Sequence, residues 1–438
     1  MLAQPTMTAQ TAEPSPVGTD PAVGPGTRAV IAGLLVLTAM RVDLYAGVSL
    51  GTFVGIALAP AWLPRVRRFS GGATFGGIVA ACLASGVWLT ALASADHAII
   101  ERQVWSWAAL MVGLVTTVGA VLWARTAFAD ATVAVLFGIG MVAEISPSDL
   151  ALDNPWKSAL SIPLTVLLLG LAWMVRKRWL EVVFALLLAA VSAASDSRSH
   201  FAILLMATAF VVWQMWFRGG HRKGSVWRAV VILAGLGWAI YSMGQALVLD
   251  GYLGEATQTR SAAQVEAAGS ILLGGRPEIG ATAALMAERP VGFGIGTRPT
   301  VQEILVAKAG MSQLGYDPNN GYVERYMFGE LVELHSITGD TWALFGIPGL
   351  VLSGFVAWTL LRRASTGFAA RDLSALMAVL VVRICWDLLF GPLYSSLPIL
   401  ALAVGLALRR RGTASQRRDD PVPLAAVRRS AAAGDGDG

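Results

Sequence analysis

Three polar side chains stand where they could act on an anionic group, and Arg198 is the first. It lies in the short stretch Ser-Asp-Ser-Arg-Ser-His, residues 195–200, between two apolar windows. A guanidinium is charged at every relevant pH, and its planar fork donates two parallel hydrogen bonds to phosphate oxygens. Arg198 could therefore bind a phosphate at a helix end. An arginine that only caps a helical turn and reaches the membrane surface is an equally common alternative.

Arg276 and His335 are the other two. Arg276 follows two glycines and precedes Pro277, which suits the first position of a helix, so its guanidinium would lie near an anion-attracting helix N-terminus. His335 directly precedes an apolar window that begins near Thr341. A histidine with an ordinary pKa of about 6.5 can accept a proton from a hydroxyl at neutral pH. Taken singly, a solvated surface arginine and a polar rim histidine are the more common interpretations.

The composition indicates an integral membrane protein. The chain has 438 residues, of which 55% are hydrophobic and 14% charged, whereas soluble domains contain about 25% charged residues. The composition therefore disfavours a secreted soluble enzyme, a nucleic-acid-binding protein and a zinc hydrolase. Cys82 and Cys385 both lie in apolar runs, and the histidines form no HExxH pair. No disulfide framework or metal-ligand pattern is expected.

The elements that must position these residues are membrane helices. A spanning helix needs about 20 mainly apolar residues. Seven charge-free windows, together with five weaker ones that need a charge near one end or inside, predict an all-α polytopic protein with about 12 transmembrane helices. The windows are Ala29–Met40, Leu44–Pro64, Ser70–Ala95, Val104–Ala124, Ala131–Ala143, Ser158–Val175, Trp179–Ser195, Phe201–Phe217, Ala229–Leu249, Thr341–Leu361, Leu373–Leu389 and Leu393–Leu408.

Lys and Arg concentrate in alternate short connections, which by the positive-inside rule predicts that both termini are cytoplasmic. One extracytoplasmic loop is long enough to fold. Apolar residues at three and four spacing predict helices within it over Glu278–Glu288 and Asn320–Leu334. The predicted organisation is a disordered cytoplasmic N-terminus (1–27), transmembrane helices 1–9 (28–249), the long extracytoplasmic loop (250–340), transmembrane helices 10–12 (341–408) and a disordered basic cytoplasmic tail (409–438).

Other features favour structural roles. The glycine-rich stretch 292–296 follows no strand, so a turn is expected there and not a phosphate-cradling loop. Arg383 and Asp387 are four residues apart in one window and should pair on a helix face, although such a pair can also line a pathway. Arg41 and Lys157 are further outer-face cations near helix ends. Either could assist with an anion, but neither alone is expected to be a site.

The order and setting of these residues resemble the O-antigen ligase and polymerase superfamily of polytopic membrane glycosyltransferases. The pair Ser197-Arg198 opening a span is similar to the family's Ser-Arg motif. Arg276, the apolar helix after it and the stretch Pro290–Gly296 are similar to its Arg, helix, Pro and Gly-x-Gly pattern. His335, before a span with Gly346-Ile347-Pro348-Gly349, matches its His and Gly turn. The family commonly has Gly after the Ser-Arg pair, where this chain has Ser199. It commonly has Asn after the His, where this chain has Ser336.

This resemblance implies transfer of a glycan from a polyprenyl (undecaprenyl) diphosphate carrier to an acceptor sugar hydroxyl at the outer face of the bacterial plasma membrane. Arg198 and Arg276 would bind the lipid diphosphate, and His335 would be the catalytic base of an inverting reaction. The expected partners are the lipid-linked glycan donor, a glycan or glycolipid acceptor and the lipid bilayer, without nucleic acid, metal or cofactor.

Three other functions stay open at this point. A polymerase of the same superfamily would join repeat units with the same groups. A secondary transporter or lipid-linked glycan flippase would have a similar number of spans, although no internal repeat is evident in the sequence. A non-enzymatic assembly factor would tolerate loss of the three polar groups.

Overall fold

The computed structural model describes residues 23–45, 47–216, 274–329 and 332–411, with a few isolated positions between 217 and 273. Several sequence-based expectations therefore lie outside the described residues. They are the N-terminal segment up to residue 22, the span Ala229–Leu249, the first part of the long loop, and the basic tail from residue 412.

The described chain is almost entirely helical, with four very short strands. Its helices are α1 Pro25–Met40, α2 Leu50–Ala57, α3 Ala59–Val66, α4 Gly72–Ala93, α5 Glu101–Ala127, α6 Asp130–Ala143, α7 Pro147–Leu150, the π-helix Trp156–Leu160, α8 Ser161–Val175, α9 Arg178–Ala194, α10 Arg198–Trp216, α11 Glu278–Glu288, α12 Val301–Ser312, α13 Ile337–Phe345, α14 Ile347–Ala370, α15 Ala375–Phe390 and α16 Leu393–Ala407. Strand β1 Asp43–Tyr45 pairs with β2 Val48–Ser49, and β3 Phe69–Ser70 pairs with β4 Arg409–Arg410, both antiparallel.

Within these residues, length and composition qualify four helical segments as membrane spans: α4, α5, the continuous segment Trp156–Val175 and α10. Helices α1, α6 and α16 are apolar but shorter. The expectation of an all-α membrane protein is confirmed at this level, and the figure of about 12 spans stays a prediction.

The basic connections meet at one end of the helices. Arg125 Nη1 donates to the carbonyls of Gly405 and Leu408, each at 2.7 Å. Arg178 Nη1 donates to the carbonyl of Leu373 at 2.7 Å, and the β3–β4 pair joins the connection before α4 to the end of α16. Because α9 leads away from Arg178, the Arg198 turn lies at the opposite end.

Two predicted spans are interrupted. The window Leu44–Pro64 holds β1, β2, α2 and α3 in place of one helix. The window Thr341–Leu361 is divided at Gly346, which has φ +62 and separates α13 from α14. A Cβ there would lie 2.5 Å from the carbonyl oxygen of Val291, so this break requires glycine. Hydropathy alone does not detect such breaks, because the residues on both sides are equally apolar.

The long loop has a small core of its own. Helices α11 and α12 pack together, and their buried residues Leu285 and Met311 join Val323 and Trp342 in one apolar cluster. The predicted helix Glu278–Glu288 is confirmed as α11. The predicted helix Asn320–Leu334 is wrong: of the described residues in this range, which omit 330 and 331, only Val323–Met327 form a helical turn, and it is a π-helical one.

Candidate functional site

The glycine turn of the long loop docks the loop onto the helices. The backbone N–H groups of Phe293 and Gly294 both donate to the carbonyl of Ala343, at 2.7 and 3.0 Å. Gly294 has φ +99, and a Cβ at this position would lie 2.5 Å from the backbone nitrogen of Thr90. The predicted turn is confirmed, and its glycine permits close contact between the loop and α4.

A charged cluster around His97 makes a second contact between loop and helices. His97 Nδ1 lies 2.6 Å from Asp96 Oδ1, and Nε2 lies 2.9 Å from Glu303 Oε1. Glu303 also completes a capping box with Thr300 at the start of α12. Burial alone would lower the pKa of His97, but its hydrogen bonds with Asp96 and Glu303, together with the charge of Glu303, raise it above the ordinary value.

We expect the His97 contact to weaken as pH rises. A raised pKa means that the folded state binds the proton more tightly than the unfolded chain. The contribution is therefore complete below the ordinary histidine pKa and disappears as pH rises through the higher folded value. Its size should be on the order of 1 kcal/mol, because Asp96 is largely exposed and solvent screens its charge. Hydrogen exchange of the Arg298 amide, which donates to the Ala98 carbonyl, should accelerate as pH rises above the ordinary histidine pKa, beyond the intrinsic base dependence of exchange.

The control for this prediction is His97→Gln, which has no titratable ring. Its amide protection at position 298 should be lower than that of the wild type at acidic pH and should show no additional pH dependence. Equal pH dependence in both proteins would show that His97 does not regulate loop docking.

Arg276 and His335 come together around Tyr322. The ring centroids of Tyr322 and His335 are 5.9 Å apart. Tyr322 Oη donates to Glu278 Oε1 at 2.6 Å, and the charge of Arg276 acts on the same phenol. Burial, together with the Glu278 carboxylate, raises the pKa of Tyr322 far above its usual range. Tyr322 therefore stays a neutral hydrogen-bond donor between a cation and an imidazole.

Helix α15 contacts residues of this Tyr322 cluster. The guanidinium carbon of Arg276 lies 5.9 Å from the centroid of the Trp386 ring, within the range of a cation–π contact. Ser336, next to His335, donates from Oγ to the carbonyl of Leu388 at 2.8 Å. The end of the loop is thus fixed against the same part of α15 that Arg276 contacts.

His335 has a left-handed backbone conformation and a defined ring tautomer. Its φ is +54, a left-handed conformation that non-glycine residues adopt rarely and mostly where surrounding contacts enforce it. Nδ1 lies 3.3 Å from the carbonyl oxygen of Glu333. Because a carbonyl only accepts, this contact requires the proton on Nδ1. In the neutral ring, Nε2 is then the proton acceptor.

Arg198 is positioned separately, as the first residue of α10. Its Nε donates to Asp196 Oδ1 at 2.9 Å, and the two side chains are 41% and 66% exposed. The turn before it is fixed by the Ser197 N–H, which donates to the carbonyl of Ser192. Helix α10 packs against α15, the helix that also contacts Arg276. Of the three predicted residues, Arg276 and His335 therefore both lie near Tyr322. Arg198 begins a helix that packs against α15, which Arg276 also contacts.

The carboxylates near the Tyr322 cluster differ in their burial and in their hydrogen bonds. Glu278 is 8% exposed, and its Oε2 has no hydrogen-bond partner among the described residues. Burial raises the pKa of Glu333, and the nearby His335 partly opposes this. Asp340 is fully buried, with its two oxygens accepting from the backbone N–H groups of Leu334 and Leu393. Asp340 is therefore a structural residue, whereas Glu278 has an oxygen available for a proton.

In the part of the chain that the structure describes, no group of three or more His, Cys, Asp or Glu residues is arranged to hold a metal ion. Comparison of the chain with protein-family models, curated proteins and solved structures finds no match. The function is therefore argued from the residues and their geometry.

Proposed function

We propose that this protein is a membrane glycosyltransferase of the O-antigen ligase type. It transfers a glycan from a polyprenyl diphosphate carrier to an acceptor sugar hydroxyl at the outer face of the bacterial plasma membrane. The observation that supports this proposal is the Tyr322 cluster, in which the His335 ring lies 5.9 Å from the Tyr322 ring and the charge of Arg276 acts on the same phenol. A fixed cation and a proton acceptor are the groups that glycan transfer from a diphosphate requires.

The chemistry follows from these two groups. The acceptor hydroxyl attacks the anomeric carbon and passes its proton to His335 Nε2. The bond from the anomeric carbon to the diphosphate oxygen breaks, and its electron pair leaves with the lipid diphosphate. Arg276 and Arg198 stabilise the negative charge that grows on this leaving group, a role that a metal ion plays in other enzymes. Attack opposite the leaving group inverts the anomeric centre.

Arg198 would join the reaction when the donor binds. Its ion pair with Asp196 is exposed on both sides, and such pairs contribute little to stability because water screens them. A diphosphate, with more charge and more acceptor oxygens, can therefore compete for the same guanidinium.

Two other functions use the same architecture. A polymerase would use the same donor groups and differ only in its acceptor. A transporter or flippase is favoured by a different observation: Arg383 Nε donates to Asp387 Oδ2 at 2.8 Å, and Arg383 lines a cavity between helices. Ionisable pairs inside membrane helices often mark transport pathways.

The test is a transfer assay with full-length protein in proteoliposomes, a labelled lipid-linked oligosaccharide and candidate acceptors. Arg198→Lys should lower transfer at least about 100-fold with an unchanged amount of protein, because an ammonium lacks the bidentate fork. Arg102→Lys is the matched control, since Arg102 is an exposed arginine in the first turn of α5, and it should keep full activity.

Each outcome distinguishes one function. A single transferred glycan supports a ligase, and a ladder of products supports a polymerase. Movement of the donor across the liposome membrane without product would identify a flippase. Full transfer by Arg198→Lys would refute the diphosphate assignment.

His335→Ala should lower transfer by roughly 100-fold at neutral pH, because it removes the general base. The measurement is the pH profile of the transfer rate for both proteins. If the profile and rate are unchanged, the base is another group, with Glu278 and Glu333 as the next residues to substitute.

A further inference from the structure

A cavity of about 430 Å³ lies at the end of the helices that carries Arg41. Its walls come from the ends of α1 and α6, the π-helix before α8, the middle of α15 and the start of α16. The volume is within the range of cavities that hold small ligands. Its lining residues do not include Arg198, Arg276 or His335.

Three cations from three different elements line this cavity: Arg41 after α1, Lys157 in the π-helix and Arg383 in α15. Two of them are held in place. The guanidinium carbon of Arg41 lies 5.1 Å from the centroid of the Tyr394 ring. Asp387 binds Arg383 through Nε, which leaves the terminal nitrogens of Arg383 as donors. Planar guanidiniums held in this way match phosphate oxygens.

The cavity walls also contain irregular helix. Lys157 is in the π-helix Trp156–Leu160, and single π-helical turns are frequent at functional sites. Pro398 lies inside α16 and lines the cavity. Because proline has no N–H, the carbonyl of Tyr394 loses its helical donor. Irregular backbone within membrane helices is tolerated where it lines a polar cavity.

Three carboxylates also line the cavity, those of Asp43, Glu144 and Asp149. Asp149 is already held by Ser146, whose N–H and Oγ lie 2.9 and 2.7 Å from Asp149 Oδ2. Enclosure in the cavity raises the pKa of Glu144 to about 7; Arg41 opposes this shift, and Asp43 and Asp149 add to it. The other charged or titratable groups that line the cavity with Glu144 are Lys157, Arg383 and Tyr394. Counting Asp387, which pairs with Arg383, four carboxylates face three cations when Glu144 is ionised, and protonation of Glu144 below about pH 7 removes this excess of negative charge.

We propose that this cavity binds a phosphate-bearing ligand, through Arg41, Lys157 and Arg383, at a site separate from the Tyr322 cluster. The inference goes beyond the proposed function, because it concerns binding by a different set of residues and holds for a transferase or a transporter.

Calorimetric titration of the full-length protein in maltoside micelles tests the site with two probes, a soluble hexose 1-phosphate and a short-chain polyprenyl phosphate. Lys157→Ala should weaken binding about tenfold, and this exposed residue is not needed for folding. Lys177→Ala, an exposed lysine at the other end of α8, is the matched control and should bind as the wild type does. Glu144→Gln should bind several-fold more tightly than the wild type at about pH 8, and its affinity should no longer change with Glu144 titration.

The two probes identify the source of the phosphate. Lys157-dependent binding of the hexose 1-phosphate supports a soluble ligand, and Lys157-dependent binding of the polyprenyl phosphate alone supports a lipid headgroup. Absence of binding by both probes would overturn the proposal. So would equal losses in Lys157→Ala and Lys177→Ala. Absence of glycan transfer by the wild-type protein, together with Lys157-dependent phosphate binding, would count against the proposed function and leave this site in place.

Discussion

Replacing Arg276 by alanine is expected to lower the rate of glycan transfer roughly 1000-fold. In the proposed reaction, the substitution removes a fixed guanidinium from the place where charge would develop on the leaving diphosphate. It also removes the cation–π contact with Trp386, which holds the guanidinium 5.9 Å from the ring. Initial rates with a labelled lipid-linked donor should show the loss in kcat. Arg276→Lys should recover part of the rate, because it retains the charge and loses the bidentate geometry.

Arg298→Ala is the matched control. Arg298 is an exposed arginine of the same loop, at the turn before α12, so this variant should transfer glycans at the wild-type rate. Near-normal transfer by Arg276→Ala, in protein of unchanged abundance, would mean that the diphosphate is bound elsewhere. The cationic cavity around Lys157 would then be the first alternative.

Local sequence rules predicted part of the loop and could have predicted more. The spacing of apolar residues after Pro277 predicted α11 with its observed bounds. The second predicted helix forms only as the turn Val323–Met327, after a short 3-10 turn that ends at Gly321 with φ +79, and apolar spacing does not reveal these short turns. Helix α12 was missed, although Thr300 and Glu303 form the Ser/Thr-x-x-Glu pattern of a capping box. That signal was present in the sequence.

Hydropathy located most long helices and was weakest where the backbone changes direction. The windows around α4, α5 and α10 each agree with a helix long enough to span a bilayer. The window Leu44–Pro64 contains Gly47 and two prolines besides its apolar residues, and the chain there forms hairpin and short helices. The glycine and prolines were the local evidence for this interruption.

The candidate site was predictable in its residue types and not in its contacts. Arg276 and His335 stood out because charges are rare in this chain, and the fold brings both to Tyr322. The positions of Tyr322 and Trp386 depend on packing between segments far apart in sequence, which spacing rules do not reach. The convergence of Arg41 and Lys157 on Arg383 has the same origin. The sequence identifies Arg41 and Lys157 as isolated cations and Arg383 as the partner of Asp387, and only the packed helices place the three cations around one cavity.

Asp340→Ala is expected to destabilise the protein by about 3 kcal/mol and to reduce transfer as well. Asp340 is fully buried, and its oxygens accept from the N–H groups of Leu334 and Leu393, at 2.6 and 2.7 Å. Removal of the carboxylate leaves two buried donors unpaired, each at a cost of about 1–3 kcal/mol. The apparent Tm in micelles should fall by roughly 3 °C, because the entropy of unfolding of a 438-residue chain is large. Transfer should fall further than folding accounts for, because the Leu334 N–H that loses its acceptor directly precedes His335, whose φ is +54.

A series of substitutions at Asp340 distinguishes a structural role of this residue from a catalytic one. Asp340→Asn keeps one acceptor oxygen and should lie between the wild type and Asp340→Ala in both Tm and transfer rate. Asp372→Asn changes an aspartate that is 63% exposed and paired with Arg363, so it should alter neither quantity. If Asp340 were itself the base, Asp340→Asn would abolish transfer while keeping most of the stability. Parallel losses of stability and rate in the series would instead show that Asp340 acts by fixing the segment that carries His335 against the start of α16.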